Sequence, residues 1–225
     1  MDLGGQLSSI SPDGSKIIYN ETNSTGGFKQ YGAKFLMDFD GGNLIQLAGI
    51  DSSRIGSETW SPDGSMFAVV QRNQATIFKR DGSTVAEISY KEWYHSEDTV
   101  WSPDGARIFL PNNKIYSIDN MSSPVDWESI MGSQDPNVYN IFSIHWAPDG
   151  QHIAFEDYGN SNLYTTDADG SNLKLLYSLN GANAGELYLT SWAENGRIYF
   201  YDYSGARRGI YSVKADGTDL TEAWS

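Results

Sequence analysis

The sequence predicts an all-β fold built from five similar four-stranded units, and three observations support this prediction. A Ser-Pro-Asp-Gly motif, or a close variant of it, occurs five times along the chain. Each copy is followed by a short apolar segment of β-branched and aromatic residues, which is typical of a strand. A second turn, containing Asp-Gly, follows in four of the five copies. The repeat therefore indicates hairpins joined in series.

The copies of the motif are evenly spaced. The second residue of the motif is Pro12, Pro62, Pro103, Pro148 and, in a degraded last copy, Glu194, so the steps are 50, 41, 45 and 46 residues. Steps of this size divide the 225 residues into five units and leave no room for a further domain. We predict a single domain over residues 1–225, with repeats at approximately 1–50, 51–91, 92–136, 137–182 and 183–225.

The residues of the motif suit a tight hairpin turn. Proline sets φ for the first central position of a type I turn, aspartate bonds to the nearby backbone, and glycine adopts the positive φ that closes the turn. In the last copy, Asn195-Gly196 is a strong two-residue hairpin signal. Each unit is predicted to contain four strands joined by two tight turns and one looser connection. No segment shows the 3.6-residue period of a helix, so no helix is predicted.

Repeated four-stranded antiparallel units of roughly 40 to 50 residues are typical of the blades of a β-propeller. A single blade cannot bury both of its faces, whereas blades stacked side by side can. The predicted strands are apolar on both faces, which favours sheets that are covered from two sides. We therefore predict an all-β fold, a β-propeller of five four-stranded antiparallel blades, with a fragment of a six-bladed propeller as the alternative.

A tryptophan precedes the motif in four of the five units. A residue that occupies the same place in successive units is most simply explained as a packing element between neighbouring blades, because an indole buries a large apolar area. A carbohydrate-binding platform is the alternative explanation. The predicted structural anchors are Trp60, Trp101, Trp146 and Trp192.

The composition excludes several classes of protein. Without cysteine, the chain cannot form a disulfide, a cysteine zinc site or a cysteine nucleophile. Its net charge of −14 opposes binding to a nucleic acid, whose phosphates would repel it. The longest uninterrupted apolar run, residues 66–70, is far too short to cross a membrane, so no membrane insertion is predicted. The N-terminal residues lack the basic start and apolar core of a signal peptide.

No catalytic or metal-binding motif is found, and we predict no catalytic residue, no metal site and no cofactor. The chain has no Gly-x-Ser-x-Gly nucleophile turn, phosphate loop or dinucleotide fingerprint. Its three histidines, His95, His145 and His152, do not lie at the spacing of metal ligands. The turn at Asp167 and Asp169 resembles the start of a calcium loop, but a hairpin explains its residues without a metal.

The combination of Trp-Ser-Pro-Asp-Gly, the apolar strand after it and the Asp-Gly hairpins downstream resembles the repeat of TolB-like, WD-type β-propellers. The same repeat occurs in the propellers of prolyl-oligopeptidase-like peptidases. The resemblance covers nearly the whole chain. It implies a protein partner, as in a cell-envelope complex, and a periplasmic or extracellular location. The resemblance to TolB implies a six-bladed ring with an additional N-terminal domain, whereas five units are found in this sequence.

The longer connections between strands are the predicted binding surface, because variable loops on a rigid scaffold commonly carry recognition residues. Aromatic and arginine side chains, which are enriched at binding hot spots, occur in several of these connections. The candidate loops are residues 20–32, 91–98, 157–161, 180–186 and 202–208. The candidate binding residues are Trp93, Tyr94, His95, Tyr158, Tyr203, Arg207 and Arg208.

The predicted function is a non-catalytic binding or scaffold propeller that holds a protein partner on these loops. A carbohydrate-binding or sugar-processing propeller is the alternative, because the loops carry aromatic rings. A closed ring is expected to be a monomer, whereas an open one is expected to associate through its exposed blade edges.

Overall fold

The computed structural model describes residues 5–25, 28–50, 57–91, 99–138, 141–179, 186–204 and 208–224. These residues form five four-stranded antiparallel sheets. The chain divides into two compact units, Met1–Trp93 with the first two sheets and Tyr94–Ser225 with the last three.

In every sheet the four strands, called A to D in chain order, lie side by side in that order. Because neighbouring strands are antiparallel, the A–B and C–D turns lie at one end of the sheet, which we call the turn end. The B–C connection lies at the opposite end, where strand A begins and strand D finishes, and we call this the loop end. The predicted all-β propeller class, with five four-stranded blades, is confirmed. The single domain, its repeat boundaries and the closure of a ring stay predictions.

The first unit contains two sheets. The first sheet consists of β1 (Gly5–Ile10), β2 (Lys16–Thr25), β3 (Phe28–Asp38) and β4 (Ile45–Gln46), and the second of β5 (Ser57–Trp60), β6 (Met66–Gln71), β7 (Gln74–Lys79) and β8 (Thr84–Ser89). Apolar side chains from both sheets form one core cluster, because each sheet needs a partner to cover its apolar face. The buried members of this cluster are Ile18, Leu36, Leu47, Phe67, Val69 and Phe78.

The second unit contains three sheets and one helix. The third sheet consists of β9 (Val100–Trp101), β10 (Arg107–Leu110), β11 (Lys114–Ser117) and β12 (Asn120–Asp126), and the helix α1 (Trp127–Gln134) follows it. The fourth sheet consists of β13 (Ile141–Trp146), β14 (His152–Asp157), β15 (Asn162–Asp167) and β16 (Lys174–Ser178). The fifth sheet consists of β17 (Leu187–Trp192), β18 (Arg197–Asp202), β19 (Gly209–Lys214) and β20 (Thr221–Trp224). Among the described residues of the second unit, one apolar cluster joins the third and fourth sheets with the helix, and another joins the fourth and fifth sheets.

The Ser-Pro-Asp-Gly motif forms the A–B turn through bonds within the motif and the residues just after it. The backbone N–H of Gly14 donates to the Ser11 carbonyl at 2.8 Å, and Gly14 has φ of +72°, as the sequence predicts. The Ser11 hydroxyl donates to Asp13 Oδ1 at 2.7 Å and accepts from the Lys16 N–H at 2.9 Å. The hydroxyl of Ser102 has the equivalent partners in the third sheet. The motif is therefore a turn-forming element, and its polar side chains form hydrogen bonds that stabilise the backbone of the turn.

The helix α1 differs from the sequence prediction, which contained no helix. Asp126 caps it, with Oδ1 accepting from the Ser129 N–H at 3.1 Å, and Trp127 and Met131 are fully buried. These two residues lie four positions apart on one helix face and belong to the core cluster of the third and fourth sheets. An eight-residue helix contains too few turns for its period to stand out in the sequence.

The first B–C connection also differs from the prediction. The sequence predicts a loop over residues 20–32, whereas β2 continues to Thr25 and β3 begins at Phe28. These strands are paired as far as Thr25 and Phe28, so the connection is a long hairpin. The polar run at its centre contains threonines, which are compatible with a strand when a partner strand lies beside it.

A buried polar network joins the two sheets of the first unit. The Lys34 ammonium, whose side chain is 4 % exposed, donates to Glu58 Oε1, whose side chain is 3 % exposed. The same ammonium donates to Asn20 Oδ1, and the Ser8 hydroxyl donates to Glu58 Oε2. The Asn20 amide donates to the Ser8 hydroxyl at 3.2 Å, which completes the connection. Strands A, B and C of the first sheet are thus tied to strand A of the second.

Candidate functional site

The B–C connection of the fourth sheet is held by an aspartate at the end of strand B. Asp157 is fully buried, and its Oδ1 accepts from the Gly159 N–H at 3.2 Å. Its Oδ2 accepts from the Asn160 side-chain amide at 2.6 Å, and the same amide donates to the Asn137 carbonyl at 2.8 Å. These bonds link the B–C connection to the segment that follows helix α1. The loop end of the fourth sheet is therefore hydrogen-bonded to the segment that follows helix α1.

Tyr158, one of the predicted binding residues, follows Asp157 directly. Its ring lies 5.5 Å from the ring of Phe142, between centroids, and its side chain is partly exposed. Phe142 belongs to strand A of the same sheet. Tyr158 therefore covers the start of its own sheet while keeping part of its ring available to solvent.

An equivalent aspartate holds the loop end of the fifth sheet. Asp202 is fully buried at the end of β18, and its Oδ1 accepts from the Ser204 N–H at 2.7 Å. Its Oδ2 accepts from the Tyr177 hydroxyl of the fourth sheet at 2.9 Å. The backbone N–H of Tyr203 donates to the Glu186 carbonyl at 2.7 Å. The start of the B–C connection is thereby fixed to strand B, to the neighbouring sheet and to the segment before strand A.

Three tyrosines form an aromatic group at this loop end, which we call the tyrosine cluster: Tyr188, Tyr201 and Tyr203. The ring centroids of Tyr201 and Tyr203 lie 4.0 Å apart, and those of Tyr188 and Tyr203 lie 5.4 Å apart at 77°. Tyr188 is 40 % exposed and Tyr203 is 46 % exposed. Aromatic rings packed edge to face stabilise one another, so the cluster offers exposed aromatic area in a fixed arrangement.

Of the predicted binding residues, Tyr203 lies in the tyrosine cluster, and Arg208 lies exposed just before β19. The ring contacts of Tyr158 and Tyr203 belong to two separate aromatic groups of the described chain. The remaining predicted binding residues, Trp93, Tyr94, His95 and Arg207, lie outside the described residues. The proposed binding role of the seven residues stays a prediction.

Two of the tryptophans before the motif lie against a side chain of the preceding sheet. The Arg107 guanidinium of the third sheet lies 4.6 Å from the centroid of the Trp146 ring in the fourth. In the next pair of sheets, the His152 ring lies 6.3 Å from that of Trp192. Arg107 and His152 are both the first residue of strand B, so this contact recurs between neighbouring sheets.

The other two predicted anchors also lie in packed surroundings. The Trp60 ring lies 4.8 Å from the Phe67 ring, between centroids, and Trp60 packs against the core cluster of the first unit. Trp101 is 6 % exposed. These surroundings leave the indole faces of Trp60 and Trp101 little room to stack on a sugar.

Sequence reasoning placed Asp157 and Asp202 at the starts of candidate loops without assigning them a role, and it missed Tyr188 and Tyr201. The aspartates carry a signal that could have been used, because a polar residue interrupts an apolar strand seven positions after Gly150 and six after Gly196. The tyrosines carry no such signal. Aromatic residues are common in strands, and the sequence does not say which face of a sheet lacks a neighbour.

Neither a cluster of metal ligands nor a membrane-spanning helix is found in the described part of the chain. There, no group of three or more His, Asp or Glu side chains is placed to hold a metal ion. The described segments also contain no helix with both the length and the apolar character needed to cross a membrane.

Comparison with known proteins gives structural matches alone. No protein-family model matches the chain, and no curated protein sequence matches it. A structure assigned as TolB from Agrobacterium tumefaciens matches with a TM-score of 0.50 and 15 % identity, over 97 % of this chain and 79 % of that one. In fold, the chain resembles TolB-like propellers.

Two enzyme structures also match. An oligogalacturonate lyase from Vibrio parahaemolyticus gives a TM-score of 0.55 and 12 % identity, over 99 % of this chain and 67 % of the lyase. A prolyl endopeptidase gives a TM-score of 0.60 and 13 % identity, over 98 % of this chain but 36 % of the endopeptidase. At such identities the likeness shows the fold alone, because one fold supports many functions.

Proposed function

We propose that this chain is a non-catalytic binding protein that holds a protein segment at the loop end of its fifth sheet. The observation that carries the proposal is the tyrosine cluster, in which Tyr188 and Tyr203 keep 40 % and 46 % of their surface exposed. Tyrosine is enriched at binding hot spots because its ring contributes apolar area and its hydroxyl contributes a hydrogen bond. Arg208, the other described residue of this connection that the sequence singles out, is also exposed.

The hydrogen bonds that fix the loop end of the fifth sheet hold the tyrosine cluster in place, which favours tight binding. Asp202 fixes the start of the B–C connection through Ser204 and Tyr177, and the Tyr203 N–H is bonded to the Glu186 carbonyl. A segment that is ordered before binding loses less conformational entropy when a partner arrives. The cluster is therefore prepared to bind without a large rearrangement.

The charge of the chain favours a basic partner. Its net charge is −14, so long-range attraction speeds the approach of a segment that carries lysine or arginine. The partner we propose is a peptide segment with an apolar side chain for the tyrosine cluster and a positive net charge. A TolB-like role in the cell envelope, with a periplasmic or extracellular location, is compatible with this partner and belongs to the proposal.

Carbohydrate binding is the second candidate, supported by exposed tyrosine rings. A sugar platform needs an open ring face, whereas Tyr188 and Tyr203 meet at 77°, so that the edge of one ring lies against the face of the other. This arrangement favours the side chains of a protein segment over a flat sugar ring. The oligogalacturonate lyase shares the fold, and an anionic sugar of that kind would be repelled by the charge of this chain.

The test uses peptides selected from a displayed random library on the immobilised chain. We expect the selected peptides to be basic, and Tyr203→Ala to weaken their binding at least about tenfold, as at a hot spot. Phe39→Ala is the matched control, because Phe39 is 65 % exposed at the turn end of the first sheet. Fluorescence anisotropy measures the peptide affinities of the wild-type chain and of the Tyr203→Ala and Phe39→Ala variants.

Two outcomes would overturn the proposal. Equal affinities for the Tyr203→Ala and Phe39→Ala variants would remove the tyrosine cluster from the binding surface. An oligosaccharide panel in which one sugar binds in a Tyr203-dependent way, while no peptide does, would replace the protein partner by a carbohydrate. Circular dichroism of each variant verifies that the fold is retained.

A further inference from the structure

The fourth and fifth sheets repeat one arrangement at their loop ends. Asp157 and Asp202 are both fully buried at the end of strand B, and the Oδ1 atom of each accepts from the backbone N–H two residues further along the chain. A tyrosine follows each aspartate, Tyr158 in the fourth sheet and Tyr203 in the fifth. The two tyrosines therefore leave their sheets at equivalent places of the repeat.

Each of these tyrosines packs against an aromatic ring at the same place on strand A. Phe142 and Tyr188 are the second residues of β13 and β17. The ring centroids lie 5.5 Å apart for Tyr158 and Phe142, and 5.4 Å apart for Tyr203 and Tyr188. We call these two contacts the loop-end pairs. The second loop-end pair is part of the tyrosine cluster, and the first is its counterpart on the neighbouring sheet.

The tyrosine of the loop-end pair is not a general feature of the repeat. The residue eight positions after the motif glycine is Thr22, Arg72 and Asn113 in the first three copies and Tyr158 in the fourth. In the fifth copy Tyr203 follows the glycine by seven positions. A side chain that every sheet needed for packing would recur in all copies, as the tryptophan does in four of five. A tyrosine confined to two adjacent copies fits a binding surface better.

The first loop-end pair stays accessible although a neighbouring sheet is in place. The fifth sheet packs on the fourth, where Leu163 and Leu187 share one apolar cluster. Tyr158 and Phe142 nevertheless remain partly exposed. The position of the loop-end pair therefore lies at the rim of the sheet, where the adjacent sheet does not cover it completely.

Hydrogen bonds hold the two loop-end pairs at a fixed spacing. The Ser161 hydroxyl accepts from the Glu186 N–H at 3.3 Å, and the Glu186 carbonyl accepts from the Tyr203 N–H at 2.7 Å. Ser161 comes three residues after Tyr158. Along this path the Cα atoms of Tyr158 and Tyr203 are about 20 Å apart or less. An extended segment of about six residues covers that distance.

We propose that the peptide segment held at the tyrosine cluster continues to the Tyr158–Phe142 pair, so that each of the two sheets holds one of its apolar side chains. This inference rests on the proposed function and narrows its partner to an extended basic segment with two apolar residues no more than about six positions apart. Binding at one pair raises the effective concentration of the segment at the other, which strengthens the whole contact.

The test measures labelled peptides, selected on the wild-type chain, by fluorescence anisotropy against Tyr158→Ala, Tyr203→Ala and the double variant. We expect Tyr158→Ala to weaken binding at least about fivefold. The double variant should show about the product of the two single effects, because the two rings lie in separate aromatic groups. Tyr158→Lys should weaken binding further, since its charge repels a basic segment, and Phe39→Ala is again the control.

Alanine replacements in the peptide assign each apolar side chain to a sheet. One replacement should abolish the effect of Tyr158→Ala and leave that of Tyr203→Ala, and a second replacement should do the reverse, because a lost contact cannot be lost twice. Circular dichroism of each protein variant verifies that the fold is retained.

The contrary outcomes separate this inference from the proposed function. Weaker binding by Tyr203→Ala, with wild-type affinity in Tyr158→Ala and Tyr158→Lys, overturns the inference and leaves the proposed function standing. A double variant that binds no more weakly than Tyr203→Ala also overturns the inference, because Tyr158 would then act only through the tyrosine cluster. Unchanged binding by Tyr203→Ala, or a selection that yields no peptide, overturns both.

Discussion

The serine hydroxyl and the aspartate carboxylate of a Ser-Pro-Asp-Gly turn hold one another in place. In the third sheet, the hydrogen bond from the Ser102 hydroxyl, followed by that from the Ala106 N–H, lowers the pKa of Asp104. The charged carboxylate is the form that accepts these bonds, so its protonation weakens the turn. The fourth turn has Ala147 in place of serine and forms the same backbone bond from Gly150.

We expect Asp104→Asn to reduce the acid sensitivity of the protein. The pKa of Asp104 is lower in the folded chain than its unfolded value of about 3.9, so its contribution is complete above that value and is lost as the pH falls through the folded pKa. Wild-type stability should decline more steeply than that of the variant over the acid range below about pH 4. Urea midpoints across this range measure the difference. Asp119→Asn removes another exposed carboxylate of the same sheet, and an equal change in both variants would contradict the prediction.

The buried pair of Lys34 and Glu58 should be strongly coupled. Lys34→Met leaves the Glu58 carboxylate buried without its cation, and Glu58→Leu leaves the Lys34 ammonium without its anion. Each single change should lower the free energy of unfolding by about 3 to 5 kcal/mol. The double variant should cost clearly less than the sum, because it removes both charges together. Denaturant unfolding of the four proteins in the cycle measures this, and additive effects would argue against coupling.

Among the elements, helix α1 depends on a glycine in the fourth sheet. Gly170 has φ of +86°, and a Cβ atom there would lie 2.8 Å from Ile130 Cγ2 and 3.2 Å from Met131 Cε. The Gln134 side-chain amide donates to the Gly170 carbonyl, and the Leu173 N–H donates to Gln134 Oε1 at 3.2 Å. The helix therefore packs on the C–D turn of the fourth sheet at a distance that only glycine permits.

Gly170→Ala should destabilise the protein more than Gly217→Ala. Both glycines occupy the C–D turn with positive φ, so both variants bear a strain of about 1 to 2 kcal/mol. At Gly217 the nearest atom to a Cβ is Leu176 Cδ2 at 3.6 Å, which is ordinary contact, whereas at Gly170 the buried-side contacts of Ile130 and Met131 must shift. The midpoint of thermal unfolding should fall further for Gly170→Ala. Equal midpoints would show that the helix yields without cost.

The sequence predicts the strands well because turn chemistry fixes them locally. Every Ser-Pro-Asp-Gly copy forms its turn, with the glycine N–H bonded to the serine carbonyl. Helix α1 was missed because its two buried residues, Trp127 and Met131, cover a single turn. The hairpin beyond Asn20 was missed because its stability depends on the partner strand.

For the molecule as a whole, the number of sheets could be predicted and the exposed surface could not. Repetition reveals how many blades exist, since each copy repeats the same local pattern. Exposure depends instead on whether a neighbour covers a face. Tyr201 and Glu156 occupy equivalent positions in successive sheets, yet Glu156 is fully buried while Tyr201 is partly exposed. Local sequence alone carries no information on that difference, so Tyr188 could not be recognised beforehand.

The turn at Ser11 to Lys16 draws its bonds from residues at most five positions apart. A duplicated repeat therefore contains all the residues that its own hairpin turn needs, wherever in the chain it is inserted. Only the side chains that meet the adjoining copy need later adjustment. A whole repeat can thus be gained or lost by duplication or deletion without disrupting the turns of the other repeats. Propellers with different numbers of blades can therefore arise from one another by such single events.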